Sequence, residues 1–375
     1  MAWIVGAGDT AFGRHAGATT LDLMTRAAAA ALADGGLARG DVDGLLCGYS
    51  TTHPHLMLAT VFAEHFGLDP IYAHALQAGG ATGCAMTMLA ARLVDSGQCR
   101  TILVVAGENR ATGQSRDSSV QTLAQVGHPD CEVPFGATIP AYYALLASRY
   151  MHVHGIGEAD LAELAVAMRA NAARHPGAHL TAPMTVADVL SSKPIAAPLK
   201  LLDCCPISDG GVALLVAAEP RPGAVRVAGA GQAHRHQHVT RADIDATGAV
   251  LAAGRALAEA GVALDDVDYL AVYDSFTITL TMLLEEIGFA PRGGAAHMAR
   301  AGIFAPDGRL PLNTHGGLLS FGHCGVGGGM AHIAEAYRQL AGKAAARQVS
   351  GRRTAFVHGD GGVMSSHVSL VLRAA

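Results

Sequence analysis

The chain carries little charge and almost no lysine. Only 15% of its residues are charged, the formal net charge is -5, and its lysines are Lys193, Lys200 and Lys343. Proteins that bind nucleic acid usually show a basic patch or a basic run. The sequence contains no such run, and we therefore expect no nucleic-acid partner.

Long apolar runs are also missing. No apolar stretch reaches the roughly 18 residues that a membrane span requires, so we expect no membrane-spanning segment. The first residues, MAWIVGAGDT, have no positive charge ahead of their apolar part, whereas a secretory signal peptide would have one. We expect a cytoplasmic protein.

The sequence lacks CxxC pairs and any zinc-like spacing of cysteines. It has seven cysteines, an odd number that fits reduced thiols better than a disulfide framework. His234, His236 and His238 would share one face of an extended strand, but no acidic or cysteine ligand lies beside them. We predict no metal site and no bound cofactor.

Hydrophobic residues and glycine are abundant. Half of the 375 residues are hydrophobic and 46 are glycine, which is enough for a large α/β core. Apolar periodicity predicts buried strands and amphipathic helices in alternation. The strands are predicted at 2–8, 45–50, 100–108, 212–219 and 353–360. A helix is predicted at 20–35, and a glycine turn that leads into a helix at 79–97.

The first predicted strand ends in a glycine pattern that resembles a dinucleotide-binding motif. Gly6, Gly8 and Ala11 match GxGxxA. A dinucleotide site also needs a strand that ends in Asp or Glu about 20 residues later, and none follows here. We therefore reject a nucleotide-binding interpretation.

An internal repeat indicates a duplicated fold. Residues 31–50 recur at 256–275, with ten of the twenty positions identical. A glycine turn, a helix and a strand then follow each copy in the same order. Such self-similarity predicts two related structural units, and glycine turns from both units would converge on a common site.

The least ordinary stretch is NTHGGLLSFGHCGVGGG, which runs from Asn313 to Gly329. Seven of its residues are glycine, and it carries His323 and Cys324 just before a predicted helix. Glycines allow close backbone approach, and a helix N-terminus favours negative charge. We predict a site that stabilises negative charge developing on an oxygen atom, with His323 as its central group.

Together these features resemble the thiolase superfamily, and the resemblance extends over essentially the whole chain. The glycine-rich loop carries Asn313, Gly316-Gly317 and Gly322-His323 as thiolases do, with Cys324 in place of the usual proline. The segments at 198–216 and 272–289 are similar to the branch of sterol-carrier-protein and lipid-transfer-protein thiolases.

The resemblance implies a particular α/β architecture. Two duplicated βαβ-rich halves would form a five-layered α/β/α/β/α core with an inserted loop domain. The N-terminal half would comprise 1–110 with about 200–222, the insertion about 111–199, and the C-terminal half 223–375.

The chain departs from the family at the residues that perform covalent chemistry. The position of the nucleophilic cysteine holds Gly80, and the second cysteine, near the C-terminus, is replaced by a segment with His358 and Asp360. Glycine cannot form an acyl-enzyme intermediate. Cys84 and Cys324 are the alternative nucleophiles, although each could instead be a small packing residue.

The charge-stabilising part of the family's site remains. Asn313, Gly325 and Gly80 are the candidate loop and oxyanion-site residues beside His323. Tyr273 stands where the family has a water-holding asparagine. It is our candidate proton-transfer group, as a phenolate of lowered pKa or through a hydrogen-bonded relay. Alternatively, Tyr273 is only a buried residue at a strand end.

His358 is a candidate base, or a residue hydrogen-bonded within its strand. Asp274 is expected to cap the helix that follows it.

Three functions remain open at this point. The first is retro-aldol cleavage of an acyl-CoA thioester through an enolate, which needs no cysteine nucleophile and is implied by similar aldolases that use tyrosines. The second is a thiolase or acyltransferase that uses Cys84 or Cys324. The third is a catalytically silent subunit that binds acyl-CoA. The resemblance also implies a homodimer and a small OB-fold, zinc-ribbon partner that binds acyl-CoA.

Overall fold

The computed structural model describes residues 1–136 and 138–375. The strands are β1 Trp3–Asp9, β2 Gly44–Gly48, β3 Tyr72–Leu76, β4 Thr101–Asn109, β5 Pro194–Ala196, β6 Leu199–Lys200, β7 Asp209–Ala217, β8 Val225–His234, β9 Tyr269–Val272, β10 Thr354–Gly361 and β11 Ser366–Ala374. The helices are α1 Thr20–Gly35, α2 Leu58–Phe66, α3 Thr82–Asp95, α4 Arg116–Ala124, α5 Ile139–His154, α6 Glu158–Ala172, α7 Val186–Ser191, α8 Ala249–Ala260, α9 Thr277–Ile287, α10 Ala295–Arg300, α11 Gly317–Ser320 and α12 Val326–Leu340.

Nine strands form one mixed sheet with the order β3-β2-β4-β7-β1-β8-β11-β10-β9. The first five strands come from the N-terminal half and the other four from the C-terminal half. The halves join through a short antiparallel pairing of Trp3 and Ile4 with β8. A fifth C-terminal strand is reduced to one bridge between Leu270 and Leu312.

Three hydrophobic clusters separate the layers. Along β4, Ile102 and Val104 pack into a central cluster with α3 and α12, whereas Leu103 and Val105 pack into an outer cluster with α1 and α2. This alternation follows from the two-residue period of a strand. A third cluster lies between the C-terminal strands and α8 and α9. α3 and α12 pack against strands of both halves, so the N-terminal and C-terminal parts of the sheet form two β layers on either side of these helices. The layers are therefore α/β/α/β/α, which confirms the predicted fold class.

The repeat is visible in hydrogen bonds as well as in elements. The Asp43 carboxylate accepts the amide N–H groups at the start of β4, at 2.8 to 3.0 Å. Its counterpart Asp268 accepts the corresponding amides at the start of β10, at 2.8 and 3.0 Å. Each short turn thus fixes the next parallel strand in the same way, which confirms the duplication.

The glycines of the first strand serve packing. A Cβ on Gly8 would stand 2.3 Å from the Ala27 carbonyl oxygen of α1. Gly231 in β8 is the equivalent, since a Cβ there would stand 2.4 Å from Ala252 O of α8. Both positions need glycine because a helix backbone lies directly on the strand.

The segment between β4 and β7 is mainly helical. It contains α4 to α7 and the two-stranded sheet of β5 and β6. The predicted inserted domain over about 111–199 corresponds to this segment, and its boundaries remain a prediction. In the described ranges no helix is long and apolar enough to cross a membrane.

Replacing Gly8 with alanine should destabilise the fold. The added methyl group would overlap the α1 backbone, and overpacking of this kind costs about 1–3 kcal/mol. The matched control is Gly254→Ala, because a Cβ there meets nothing within 4 Å on α8 and alanine favours a helix. Denaturant unfolding followed by circular dichroism measures both; equal stabilities would contradict the packing argument.

Candidate active site

A cavity of about 760 Å³ lies where the carboxyl ends of several strands meet the turns before α3 and α12. This is the usual place for a ligand in α/β sheets. Its polar lining includes Glu108, Arg110, Tyr273, His323 and Asp360. Its apolar lining from the segment between β4 and β7 includes Val120, Leu123, Val126, Ile139 and Ile195.

The glycine-rich loop is anchored to β9 by Asn313. This residue is fully buried with φ 45°. Its side-chain Oδ1 accepts the Val272 amide at 2.8 Å, and its Nδ2 donates to the Val272 carbonyl at 2.8 Å. Asn313 therefore fixes the strand end that immediately precedes Tyr273, and it orders the loop rather than facing a ligand.

Asp274 caps a helix other than the expected one. Its carboxylate accepts the amide of Leu318 at 2.7 Å, at the start of α11, instead of capping α9. A Cβ on Gly317 would stand 1.9 Å from the same carboxylate. The expectation for Asp274 was wrong because the glycine-rich loop brings its own amides onto this side chain.

His323 is a neutral hydrogen-bond donor. The Gly325 amide donates to Nδ1 at 3.1 Å, which leaves the proton on Nε2. Burial, followed by the positive charge of Arg110, lowers the pKa of His323 to about 3. Because the Gly325 amide is committed to the imidazole, Gly325 orients His323 rather than donating to a substrate oxygen.

Tyr273 fills the space in front of Gly80. Its hydroxyl lies 3.1 Å from His323 Nε2. A Cβ on Gly80 would stand 2.2 Å from the Tyr273 hydroxyl oxygen and 2.3 Å from its Cζ. Any side chain at position 80 would therefore displace this tyrosine, and the two positions depend on each other.

Tyr273 remains protonated in its buried position. Burial first, with added effects of Cys205 and Asp360, raises its pKa well above 10. This direction is opposite to the lowering that a phenolate base requires, so the hydrogen-bonded relay is the alternative that the geometry favours. Nearby, the Tyr143 hydroxyl donates to Asp360 Oδ2 at 2.9 Å, and burial also raises the pKa of Asp360 well above its usual value.

The two candidate nucleophilic thiols are sealed away from the cavity. Cys84 is 2% exposed and packs within α3 towards Gly359. Cys324 is 0% exposed. Burial raises the pKa of Cys84 to about 12 and that of Cys324 well above 9. Neither thiol lines the cavity, and neither is activated as a catalytic thiolate would be.

His358 does not belong to the cavity. Successive residues of a strand face opposite sides. A Cβ on the next residue, Gly359, would face α3, so the His358 side chain lies on the opposite, outer face of β10. There its ring contacts the Ser369 hydroxyl at 2.8 Å and His367 at 3.1 Å. His358 cannot act on a ligand in the cavity, and its assignment as a base is corrected.

Several lining residues were not singled out from the sequence. Cys204 and Cys205 line the cavity even though Cys84 and Cys324 do not. Glu108 and Arg110 also reach it from the end of β4. The position of Glu108 at a strand's carboxyl end was a signal that could have identified it, whereas the cysteine pair offered no periodic pattern.

The three histidines near residue 236 separate in the structure. His234 contacts the Ser366 hydroxyl, His236 contacts the Val363 carbonyl, and His238 packs against the His128 ring. Across residues 1–136 and 138–375, no cluster of three or more His, Cys, Asp or Glu is arranged to hold a metal ion.

Comparison with known proteins identifies two matching family models. The thiolase N-terminal domain model matches residues 2–220, and the model of the thiolase C-terminal domain-like family matches residues 231–374. The chain is 34% identical to the 17-hydroxy-3-oxo-4-pregnene-20-carboxyl-CoA lyase of Mycobacterium tuberculosis, over 91% of this chain and 92% of the relative. It is 31% identical to the acetyl-CoA acetyltransferase of Methanothermobacter thermautotrophicus, over 97% and 98%.

Solved structures show the same similarity. The structure named Ltp2-ChsH2(DUF35) aldolase superposes with a TM-score of 0.85 at 32% identity, over 100% of this chain and 97% of that chain. Human mitochondrial 3-ketoacyl-CoA thiolase has a TM-score of 0.76 at 15% identity, over 100% and 98%. The second likeness concerns the fold alone.

Thiol alkylation should separate the cysteines by exposure. Cys131 is exposed, whereas Cys84 and Cys324 are buried with raised pKa values. Because the thiolate is the reactive form, a mild alkylating reagent should modify Cys131 first and leave the two buried thiols unmodified in the native protein. Peptide mass spectrometry gives the order, with the denatured chain as the control. Early modification of Cys84 or Cys324 would contradict their burial.

The His323 imidazole should stay neutral through pH 5. Its pKa of about 3 lies below the ordinary 6.5, so the unfolded chain binds this proton first as pH falls. Stability from this group is therefore present above pH 6.5 and is lost as pH falls towards 3. Nitrogen NMR of ¹⁵N-histidine-labelled protein tests this, with the His323 signals assigned by comparison with His323→Gln. The spectra should show the neutral, Nε2-protonated tautomer from pH 8 to 5, because this whole interval lies above a pKa of about 3. An imidazolium signal with a midpoint near 6.5 would contradict it.

Proposed function

The chain belongs to the thiolase family, and we propose that it cleaves a carbon–carbon bond of a 3-hydroxyacyl-CoA thioester by a retro-aldol reaction. One observation carries this proposal: the Tyr273 hydroxyl occupies the space in front of Gly80 and contacts His323 Nε2 at 3.1 Å. The site thus combines a proton-transfer group with a hydrogen-bond donor, while the position of an attacking side chain is filled.

His323 would stabilise the enolate. His323 lines the cavity, its Nε2 lies 3.1 Å from the Tyr273 hydroxyl, and its imidazole is neutral because burial lowers its pKa to about 3. When the bond between C2 and C3 breaks, the electron pair moves onto the thioester oxygen, which becomes negative. A fixed donor at that oxygen is worth about 10²–10³ in rate in comparable sites.

Tyr273 would carry the proton from one substrate atom to another. The 3-hydroxyl proton moves to the Tyr273 oxygen as the C2–C3 bond breaks, and the tyrosine's own proton moves to C2 of the enolate. The products are a carbonyl compound and a shorter acyl-CoA. Protons balance without a phenolate, which agrees with the raised pKa of Tyr273.

The substrate class follows from the cavity and from the relatives. Five apolar side chains from the segment between β4 and β7 complete the lining, and a volume of about 760 Å³ suits a large ligand. Two relatives are named as a pregnene-carboxyl-CoA lyase and a steroid side-chain-cleaving aldolase. We propose a coenzyme A thioester with a large apolar acyl group, and no resident cofactor.

Acyl transfer is the second candidate, since one relative is named acetyl-CoA acetyltransferase. It requires an accessible and activated thiol, and Cys84 and Cys324 are both sealed. Cys204 and Cys205 line the cavity, but burial raises the pKa of Cys204 to about 12 and raises that of Cys205 as well, so neither is activated as a thiolate.

A silent binding subunit is the third candidate. The mutual fit of Tyr273, Gly80 and His323 favours a catalytic site over both alternatives.

We further propose a homodimer that forms through the edge of the sheet. β3 is the terminal strand of the sheet, and none of its residues is fully buried. Ile71, which precedes it, is 74% exposed. An unprotected edge is a ready partner for another strand. Light scattering should give twice the 38.3 kDa chain mass; a single chain mass that persists at high concentration would contradict this.

A small partner protein belongs to the same proposal. The Ltp2-ChsH2(DUF35) structure is named as an assembly. We propose that this chain likewise binds a small acyl-CoA-binding protein with an OB-fold and a zinc ribbon, and that the two proteins meet in the cytoplasm. Co-expression with such a protein should yield a stable complex on size exclusion. Separate elution of the two proteins would remove the partner from the account.

Changing Tyr273 to phenylalanine should abolish cleavage while leaving the fold intact. Loss of a general acid–base group costs about 10²–10⁴-fold in rate. The matched control is Tyr337→Phe, because Tyr337 is also buried but its hydroxyl bonds to Asp34 and Lys343, away from the cavity. Release of the carbonyl product measures both variants; unchanged turnover in Tyr273→Phe would remove this residue from the mechanism.

A further inference from the structure

Arg110 directs a positive charge into the cavity without a protein partner. Its side chain lines the cavity directly after β4. Within the part of the chain that the structure describes, no ion pair or side-chain hydrogen bond involves its guanidinium, and its Nε is buried without a partner. The residue is half-buried, and a guanidinium without a protein partner at a cavity wall is available to an anion on a ligand.

The backbone on both sides of Arg110 is firmly held. The Glu108 carboxylate accepts the Thr51 hydroxyl at 2.7 Å and the Thr52 amide at 3.1 Å. On the other side, the Asp209 carboxylate accepts the Ala111 amide at 2.7 Å. Arg110 therefore sits between two anchored residues, and its position is set by the fold.

Arg110 also lies close to the proposed reaction centre. Its Cδ is 3.6 Å from where a Cβ on Gly325 would stand. The Gly325 amide in turn donates a hydrogen bond to Nδ1 of His323. In agreement, its charge contributes to the lowering of the pKa of His323 and opposes the rise at Tyr273 and Cys205. The Arg110 side chain therefore lines the same part of the cavity as Gly325 and His323.

An anion on the ligand would complete this arrangement. Glu108 also lines the cavity, two residues away. Its Oε1 accepts from the chain around Thr51 and its Oε2 lies towards Gly325, but within residues 1–136 and 138–375 it forms no ion pair with Arg110. A planar guanidinium matches a carboxylate well. The diphosphate of coenzyme A is separated from the thioester by the whole pantetheine arm, so it cannot reach Arg110 while the thioester oxygen lies at His323.

We propose that Arg110 binds a carboxylate carried by the acyl group, so that the preferred substrates are thioesters of dicarboxylic acids. This inference rests on the acyl-CoA function proposed above and adds the substrate class. The carboxylate would sit beside the cleaved bond and would pair with the guanidinium in the cavity, while the apolar lining takes the rest of the acyl group.

Binding of matched thioester pairs tests the inference without turnover. The mono-CoA thioesters of glutaric, adipic and suberic acid are compared with those of pentanoic, hexanoic and octanoic acid, which lack the carboxylate. None has a 3-hydroxyl group to cleave. Since a charge-assisted hydrogen bond contributes about tenfold or more in affinity, calorimetry should show at least one diacid thioester binding about tenfold tighter than its monoacid.

Substitutions then locate the preference. Arg110→Met should bind both members of a pair equally, and Arg110→Lys should keep part of the preference because it retains the charge. Arg14→Met is the matched control, since Arg14 also lines the cavity but is exposed. It should keep the ratio, even if contact with coenzyme A phosphate weakens both ligands.

The outcomes separate the two proposals. Equal binding of every pair by the native protein, or a preference that survives in folded Arg110→Met, would overturn the role of Arg110 while leaving the acyl-CoA function standing. Failure of all six thioesters to bind would overturn the acyl-CoA function and this inference with it. Circular dichroism confirms that each variant is folded.

Discussion

The site depends on one steric exclusion: the Tyr273 ring and a side chain at position 80 cannot occupy the same space. A Cβ on Gly80 would stand 2.2 Å from the tyrosine hydroxyl oxygen, far inside van der Waals contact. Glycine at the turn before α3 therefore both removes the attacking group and admits the hydroxyl that contacts His323. In the mechanism that we propose, a thiolase framework with these two features has no attacking group at position 80 and carries Tyr273 as the proton carrier at the same point.

Burial determines the charge state of the groups around this exclusion. It lowers the pKa of His323 to about 3 and raises those of Tyr273 and Asp360, so burial favours the neutral form of each of these three groups. A neutral donor and a neutral relay suit a reaction in which the charge develops on the substrate, because fixed dipoles in a dry site need little reorganisation. Arg110 adds a positive charge to the same cavity.

The elements could be read from the sequence, but the contacts of single side chains could not. Apolar periodicity predicted α1 at its observed bounds, Thr20–Gly35, and the repeat predicted two halves that the shared roles of Asp43 and Asp268 confirm. His358 was misassigned because alternate residues of a strand face opposite sides, so one position decides the environment. Asp274 was misassigned because its partners come from a loop 44 residues away, and no local pattern reports such a contact.

The most direct test of the account is hydrogen exchange at C2 of the product. Run in reverse, the proposed chemistry moves a proton from C2 of a bound acyl-CoA to Tyr273 while the tyrosine's own proton moves to the oxygen of a carbonyl compound and the C2–C3 bond forms. Cleavage of that bond then returns a solvent-exchanged proton from Tyr273 to C2. Proton NMR of propionyl-CoA and an added ketone in D₂O should therefore show loss of the C2 signal with the native protein, and retention of that signal with Tyr273→Phe or without the ketone. Binding of both compounds to the native protein without any exchange would contradict the enolate site on which the account rests.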